Sequence, residues 1–147
     1  GYIARGQQEG AELLAGGQRV LQDTGGYFVQ PTVFDGVRND MAIAREEIFG
    51  PVLSVMGFDS AAQAVHLAND NIYGLQAAVW SRDINKAHGV ARALRAGTVH
   101  VNQYDEDDIT VPFGGYKQSG VGRDKSLHAF DKYTELKTTW IRIDSPV

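Results

Sequence analysis

The 147-residue chain has room for one domain with a real core, and its 43% hydrophobic and 22% charged residues are ordinary for a soluble globular protein. A net charge of −4 argues against the clustered basic face that nucleic acid requires, and no apolar run approaches the roughly 18 residues of a membrane span. Cysteine is absent, which excludes disulfides, thiolate metal sites and a cysteine nucleophile within this chain.

In chain order, residues 2 to 15 read as a helix with Ile3, Gly10, Ala11 and Leu14 on one face and Gly16-Gly17 as the stop. Residues 27 to 34 alternate and are rich in β-formers, so they read as a strand that Pro31 pushes toward an edge or a bulge, closed by an Asp35-Gly36 turn. Residues 52 to 58 form the next strand. Ser60 caps a helix bearing Ala61, Ala64, Val65 and Ala68 on one side. Leu75 to Trp80 is a strand, Asp83 caps a second helix that stops at Gly97, and residues 98 to 101 are a third strand. The order strand, helix, strand, helix, strand predicts an α/β fold with parallel pairing and right-handed crossovers. Residues 102 to 122 form a long irregular stretch, and Asp124 can cap a short helix through Leu127 and Phe130. Residues 133 to 143 alternate as a strand with no obvious partner in the chain.

Few motifs carry chemistry. Gly114, Gly115, Gly120 and Gly122 crowd together but fit neither G-x-G-x-x-G nor the P-loop, since Val121 stands where lysine belongs; turns needing positive φ are the simpler reading. Histidines 66, 88, 100 and 128 share no ligand spacing, so no metal site is expected, and no serine sits in a G-x-S-x-G elbow. The run Asp105-Glu106-Asp107-Asp108 reads either as a solvated turn or as a cation-attracting rim. Glu46-Glu47-Ile48-Phe49-Gly50-Pro51-Val52 sets two carboxylates and a ring before a strand. They are either exposed charges or a ligand grip, because a carboxylate accepts both hydroxyls of a ribose in charge-assisted bonds and Phe49 could cover a flat ring.

This last stretch, with Tyr73-Gly74-Leu75, Ala96-Gly97-Thr98-Val99, Val101-Asn102, Pro112 to Gly120, Gly122-Arg123 and Glu135 to Thr138, resembles the C-terminal third of the NAD(P)-dependent aldehyde dehydrogenases, in order and over essentially the whole chain. The resemblance implies a parallel-sheet, three-layer catalytic-domain fragment over residues 1–132 and a terminal oligomerisation strand over 133–147. In that family a cysteine thiolate attacks the aldehyde, hydride passes to the nicotinamide, and a glutamate-activated water releases the acid. Both of those residues belong upstream of Gly1, so this chain alone is expected to be inactive.

The implied cofactor is NAD, with NADP not excluded. By position, Glu47 resembles the carboxylate that holds the nicotinamide ribose, and Phe49 and Leu75 resemble neighbours of the same cofactor half. Phe113 resembles an aromatic wall at the reaction centre, and Asp105, Glu106 and Asp107 fall on the aldehyde entrance. Arg123 and Glu135 resemble structural positions. Residues 107–113 and 122–128 are similar to the branch acting on γ-glutamyl-γ-aminobutyraldehyde and related amino- or guanidino-aldehydes. The resemblance implies a small-molecule aldehyde, no nucleic acid, no membrane, a homo-oligomer joined through the terminal strand, and a cytoplasmic location. The competing expectation is a non-catalytic, truncated module kept for self-association or binding.

Overall fold

A computed structural model describes residues 1–104 and 108–144. They fall into two compact units, Gly1–Ile72 and Tyr73–Val147.

The first unit runs α1 (Tyr2–Gln8), β1 (Glu12–Ala15), β2 (Arg19–Val20), β3 (Phe28–Val29), β4 (Thr32–Asp35), the one-turn helix α2 (Ala42–Arg45), β5 (Val52–Ser54) and α3 (Ala61–Asn69). The helix expected through residue 15 ends at Gln8. Gly10 takes φ +95°, and the following residues become β1, which pairs antiparallel with β4 so that Leu13 faces Phe34. Strand pairing across 20 residues overrides the local helical spacing, as tertiary context commonly does. The strand expected over 27–34 splits at Gln30-Pro31. Its first part, β3, pairs with β2, and its second, β4, lies between β1 and β5. Pro31 thus stands between two ladders, where its missing N–H breaks neither. The Asp35-Gly36 turn forms as expected, with Gly36 at φ +61° donating its N–H to Asp35 Oδ1 at 2.8 Å.

Phe34, fully buried at the centre of the sheet, gathers Ala11, Val37, Met41 and Ile43 into the core of this unit. α1 lies close to it because residue 6 is glycine: a Cβ there would stand 3.0 Å from Ile43 Cδ1 and 3.3 Å from the Phe34 ring. β5 is shorter than expected and takes its parallel partner from β4, in register Thr32↔Val52 to Phe34↔Ser54. The helix α3 is capped as expected, Ser60 Oγ accepting from Gln63 N at 3.1 Å.

The second unit is built on β6 (Gln76–Val79), α4 (Ile84–Ala93) and β7 (Thr98–Val101). β6 and β7 pair in parallel from Gln76↔Thr98 to Val79↔Val101, with α4 as the crossover. Asp83 caps α4 through Asn85 N and Lys86 N, and Ala87 is fully buried on the helix's inner side. Beyond β7 the described backbone is mostly irregular, fastened by an antiparallel bridge between Phe113 and Asp124. Asp124 does not cap the last helix. Its backbone is taken by Phe113 and its carboxylate by the Lys132 ammonium, while Ser126 Oγ accepts from His128 N to cap a 3-10 segment, Leu127–Tyr133. The strand expected over 133–143 does not form in this chain. A strand exists only by pairing, and these residues meet no ladder partner among the described residues; Leu136 and Trp140 are fully exposed. Among the described residues no helix is long and apolar enough to cross a membrane, and no three side chains are grouped to hold a metal ion.

Candidate functional site

A four-residue helix has too few internal hydrogen bonds to stand alone. α2 is held from outside at nearly every group. Glu9 Oε2 accepts from Ala42 N at 2.7 Å. Ser54 Oγ donates to Ile43 O at 3.0 Å, and Asn71 Nδ2 to Ala44 O at 3.4 Å. Arg45 forks onto Asp70, donating to its carbonyl at 2.7 Å and its carboxylate at 3.0 Å, and Asn39 Nδ2 adds a bond to that carboxylate at 2.8 Å. The Arg45 hydrogen bond is the main reason the Asp70 carboxyl titrates below its ordinary value. Ala42 and Ile43 are buried beneath.

Glu46 and Glu47 leave this fixed turn in opposite circumstances. Glu46 is engaged: Tyr2 Oη donates to Oε2 at 2.9 Å and Arg5 Nη1 to Oε1 at 3.1 Å. Glu47 is exposed, and its carboxylate makes no hydrogen bond or ion pair among the described residues. Two residues on, Phe49 adopts φ +54°, a left-handed conformation that costs a bulky side chain about 1–2 kcal/mol, yet its ring is 92% exposed. Glu46, Glu47, Ile48, Phe49, Val52 and Ser54 help line an open depression of about 530 Å³. A free carboxylate and a strained, unburied ring facing one hollow have little use in folding. They suit a flat, hydroxyl-bearing ligand.

The other expected site residues lie in the second unit. Leu75 is half-exposed and leads into β6, its carbonyl accepting from Thr98 N at 3.2 Å. Phe113 is half-buried, clamped by two backbone bonds to Asp124 of 2.8 and 2.7 Å, with Lys125 Nζ 5.6 Å from its ring centre. Asp105, Glu106 and Asp107 lie outside the described residues. The glycine cluster is structural, but not mainly through positive φ, which only Gly120 of the four adopts. The need is close backbone approach. Gly74 O accepts from Gly97 N at 3.0 Å and Tyr116 N at 2.8 Å, and a Cβ on Gly97 would sit 1.6 Å from Gly114 O. Arg123 ties this knot, donating to Gly115 O and Gly122 O and lying over the Tyr116 ring; Glu135 is exposed.

Sequence reasoning missed the anchors. Nothing in the spacing signals that Tyr2 meets Glu46 across 44 residues. Asn102, which the resemblance included without a role, stands at φ +55°, and its side chain accepts from Ser81 N at 2.8 Å and donates to Ser81 O at 3.1 Å just beyond β7.

A sequence model of the aldehyde dehydrogenase family matches residues 1–139. The NADP/NAD-dependent aldehyde dehydrogenase PuuC of Escherichia coli is 54% identical over 144 residues, which cover 98% of this chain and 28% of that protein. A crystal structure of an indole-3-acetaldehyde dehydrogenase complexed with NAD+ superposes with a TM-score of 0.92 at 67% identity, covering 97% of this chain and 29% of the other. The aldehyde dehydrogenase KauB of Pseudomonas aeruginosa gives 0.91 and 66%, with the same coverage. The chain therefore spans under a third of the length of the relatives it matches.

Proposed function

Because the chain belongs to the aldehyde dehydrogenase family, we propose that it is the C-terminal portion of an enzyme that oxidises an aldehyde to its carboxylic acid with NAD, NADP being the alternative carrier. The observation that carries this reading is the unengaged Glu47 carboxylate beside the strained, exposed Phe49 in one open depression. When bound, NAD supplies the two-electron oxidant. Glu47 would hold the ribose by accepting hydrogen bonds from its two hydroxyls, and Phe49 would lie against the nicotinamide half, so that the two residues orient the riboside. On the resemblance, Leu75 offers the nicotinamide an apolar border, and Phe113 walls the aldehyde. The chain has no cysteine, so the nucleophile belongs to the remainder of the longer protein.

We assign the substrate to amino- or guanidino-aldehydes because four consecutive acids, Asp105 to Asp108, would favour a cationic tail at the entrance. Residues 1–132 are then part of the catalytic domain, and 133–147 an oligomerisation strand whose partner comes from another subunit. The exposure of Leu136 and Trp140 supports that assignment.

The direct test changes Glu47→Gln in the full-length protein. Loss of a charged acceptor for two hydroxyls is expected to raise the Kd and KM for NAD by about tenfold, with the aldehyde KM little changed. An unchanged NAD affinity would remove the ribose assignment.

A further inference from the structure

We infer that α1 is a splint that aims the Glu47 carboxylate, with Tyr2 and Arg5 as positioning residues for cofactor affinity. This rests on the proposed contact of Glu47 with NAD.

The geometry begins at Glu46, whose backbone is extended, with φ −110° and ψ 147°. Glu46 and Glu47 both line the depression, so fixing the Glu46 carboxylate on α1 sets the turn from which the Glu47 carboxylate is presented and leaves Glu47 as the acid without a donor of its own among the described residues. The fixing is two-handed: each Glu46 oxygen has its own donor, Tyr2 Oη and Arg5 Nη1, from adjacent turns of α1. The same helix holds the opposite end of α2, since Glu9 Oε2 accepts from Ala42 N. The two grips are joined, because Arg5 Nε donates to Glu9 Oε1 at 2.9 Å. Gly6 lets α1 lie against Ile43, so the splint and the turn it supports are packed as well as hydrogen-bonded.

Charge adds a second effect. Neighbouring carboxylates repel, and a Glu46 without counterion would compete with Glu47 for any incoming donor. Arg5 neutralises Glu46 and leaves one free carboxylate at the depression. Without Arg5 the two acids would be interchangeable, and ligand donors could engage the wrong one.

The test uses the full-length protein and measures NAD dissociation by calorimetry, together with the KM for NAD, the KM for aldehyde, kcat and Tm. Tyr2→Phe removes one hydroxyl and keeps the ring, so it should fold. Arg5→Met removes the second donor and the charge. The pair is expected to weaken NAD binding by about tenfold with the aldehyde KM unchanged, and Arg5→Lys, which keeps the charge, should recover part of the loss. In a Glu47→Gln background the same pair should add little, because its effect runs through Glu47. A purely structural role would instead lower Tm and kcat, raise both KM values, and add in full to Glu47→Gln. Normal NAD affinity in the pair, with Glu47→Gln weakened, would overturn the splint and leave the ribose contact standing. Unchanged affinity in Glu47→Gln itself would overturn both.

Discussion

Replacing Phe49 by glycine should separate folding from binding. The left-handed backbone at Phe49, φ +54°, costs a non-glycine residue about 1–2 kcal/mol, which glycine would relieve. Against that, glycine gains freedom in the unfolded chain worth roughly 0.5–1 kcal/mol. The ring is 92% exposed, so less than a tenth of an area of about 200 Å² is buried. At about 25 cal/mol per Å², its loss costs only ~0.4 kcal/mol. The terms nearly cancel, and Phe49→Gly should match the parent in stability to within about 1 kcal/mol. Phe49→Ala keeps the strain and loses the ring, so it should be no more stable than the glycine variant.

Binding should respond differently. A ring stacked on a flat partner contributes about 0.5–1.5 kcal/mol, so both variants should weaken NAD by roughly two- to twelvefold. The assay pairs chemical denaturation of the full-length protein without NAD with calorimetric titration of NAD. If both variants lose more than about 2 kcal/mol of stability, the ring packs in the folded protein and the reasoning fails. Unchanged NAD affinity in both would equally refute it.

Other consequences follow from the same structure. Gly97→Ala places a Cβ 1.6 Å from Gly114 O, which no side-chain motion relieves; a loss of at least ~3 kcal/mol or insoluble protein is expected, read from soluble yield and Tm. Asp70 titrates below its ordinary value of 3.8 in the folded chain, first through the hydrogen bond from Arg45. A lowered folded pKa contributes stability that is present above the unfolded value and lost as pH falls through the folded one, so Asp70→Asn should flatten that acid limb in denaturation curves taken between about pH 5 and pH 2. Replacing Asp105→Ala, Glu106→Ala and Asp107→Ala together should raise KM more for amino-aldehydes than for uncharged ones. An equal loss on both would refute the charge argument.

Elements that close locally were legible in the sequence. Ser60 and Asp83 cap α3 and α4 where the spacing placed them, because the cap bonds reach only two or three residues along the chain. The β6–α4–β7 unit likewise follows from neighbouring segments. What the sequence hid depends on distant partners. β1 reads as helix until β4 pairs with it, and residues 133–143 read as strand although none of the described residues pairs with them in a ladder. At the site, the residue pattern isolated Glu46 to Val52 and the resemblance singled out Glu47, but the physical difference between the two acids, the engagement of Glu46 by Tyr2 and Arg5 more than 40 residues away, was not legible.

Backbone strain sharpens the case for Phe49 because the other positive-φ side chains in the chain have local compensation. Asn102 exchanges two hydrogen bonds with Ser81, and asparagine tolerates this conformation. Leu21 O accepts from Thr24 N and Thr24 Oγ1, closing the turn it starts. Lys117 opens a 3-10 turn, its carbonyl accepting from Gly120 N; Lys125 O accepts from Ala129 N at 3.2 Å, and Ser126 caps the segment after it. Phe49 makes no such bond among the described residues, and its ring is not buried. Gly50 follows it and would take the left-handed conformation more easily. A chain selected for folding alone would put the glycine where the strain is. Keeping a phenylalanine there gives up stability to hold a ring at the edge of a hollow beside an exposed carboxylate, which is what the proposed contact with a flat ligand requires.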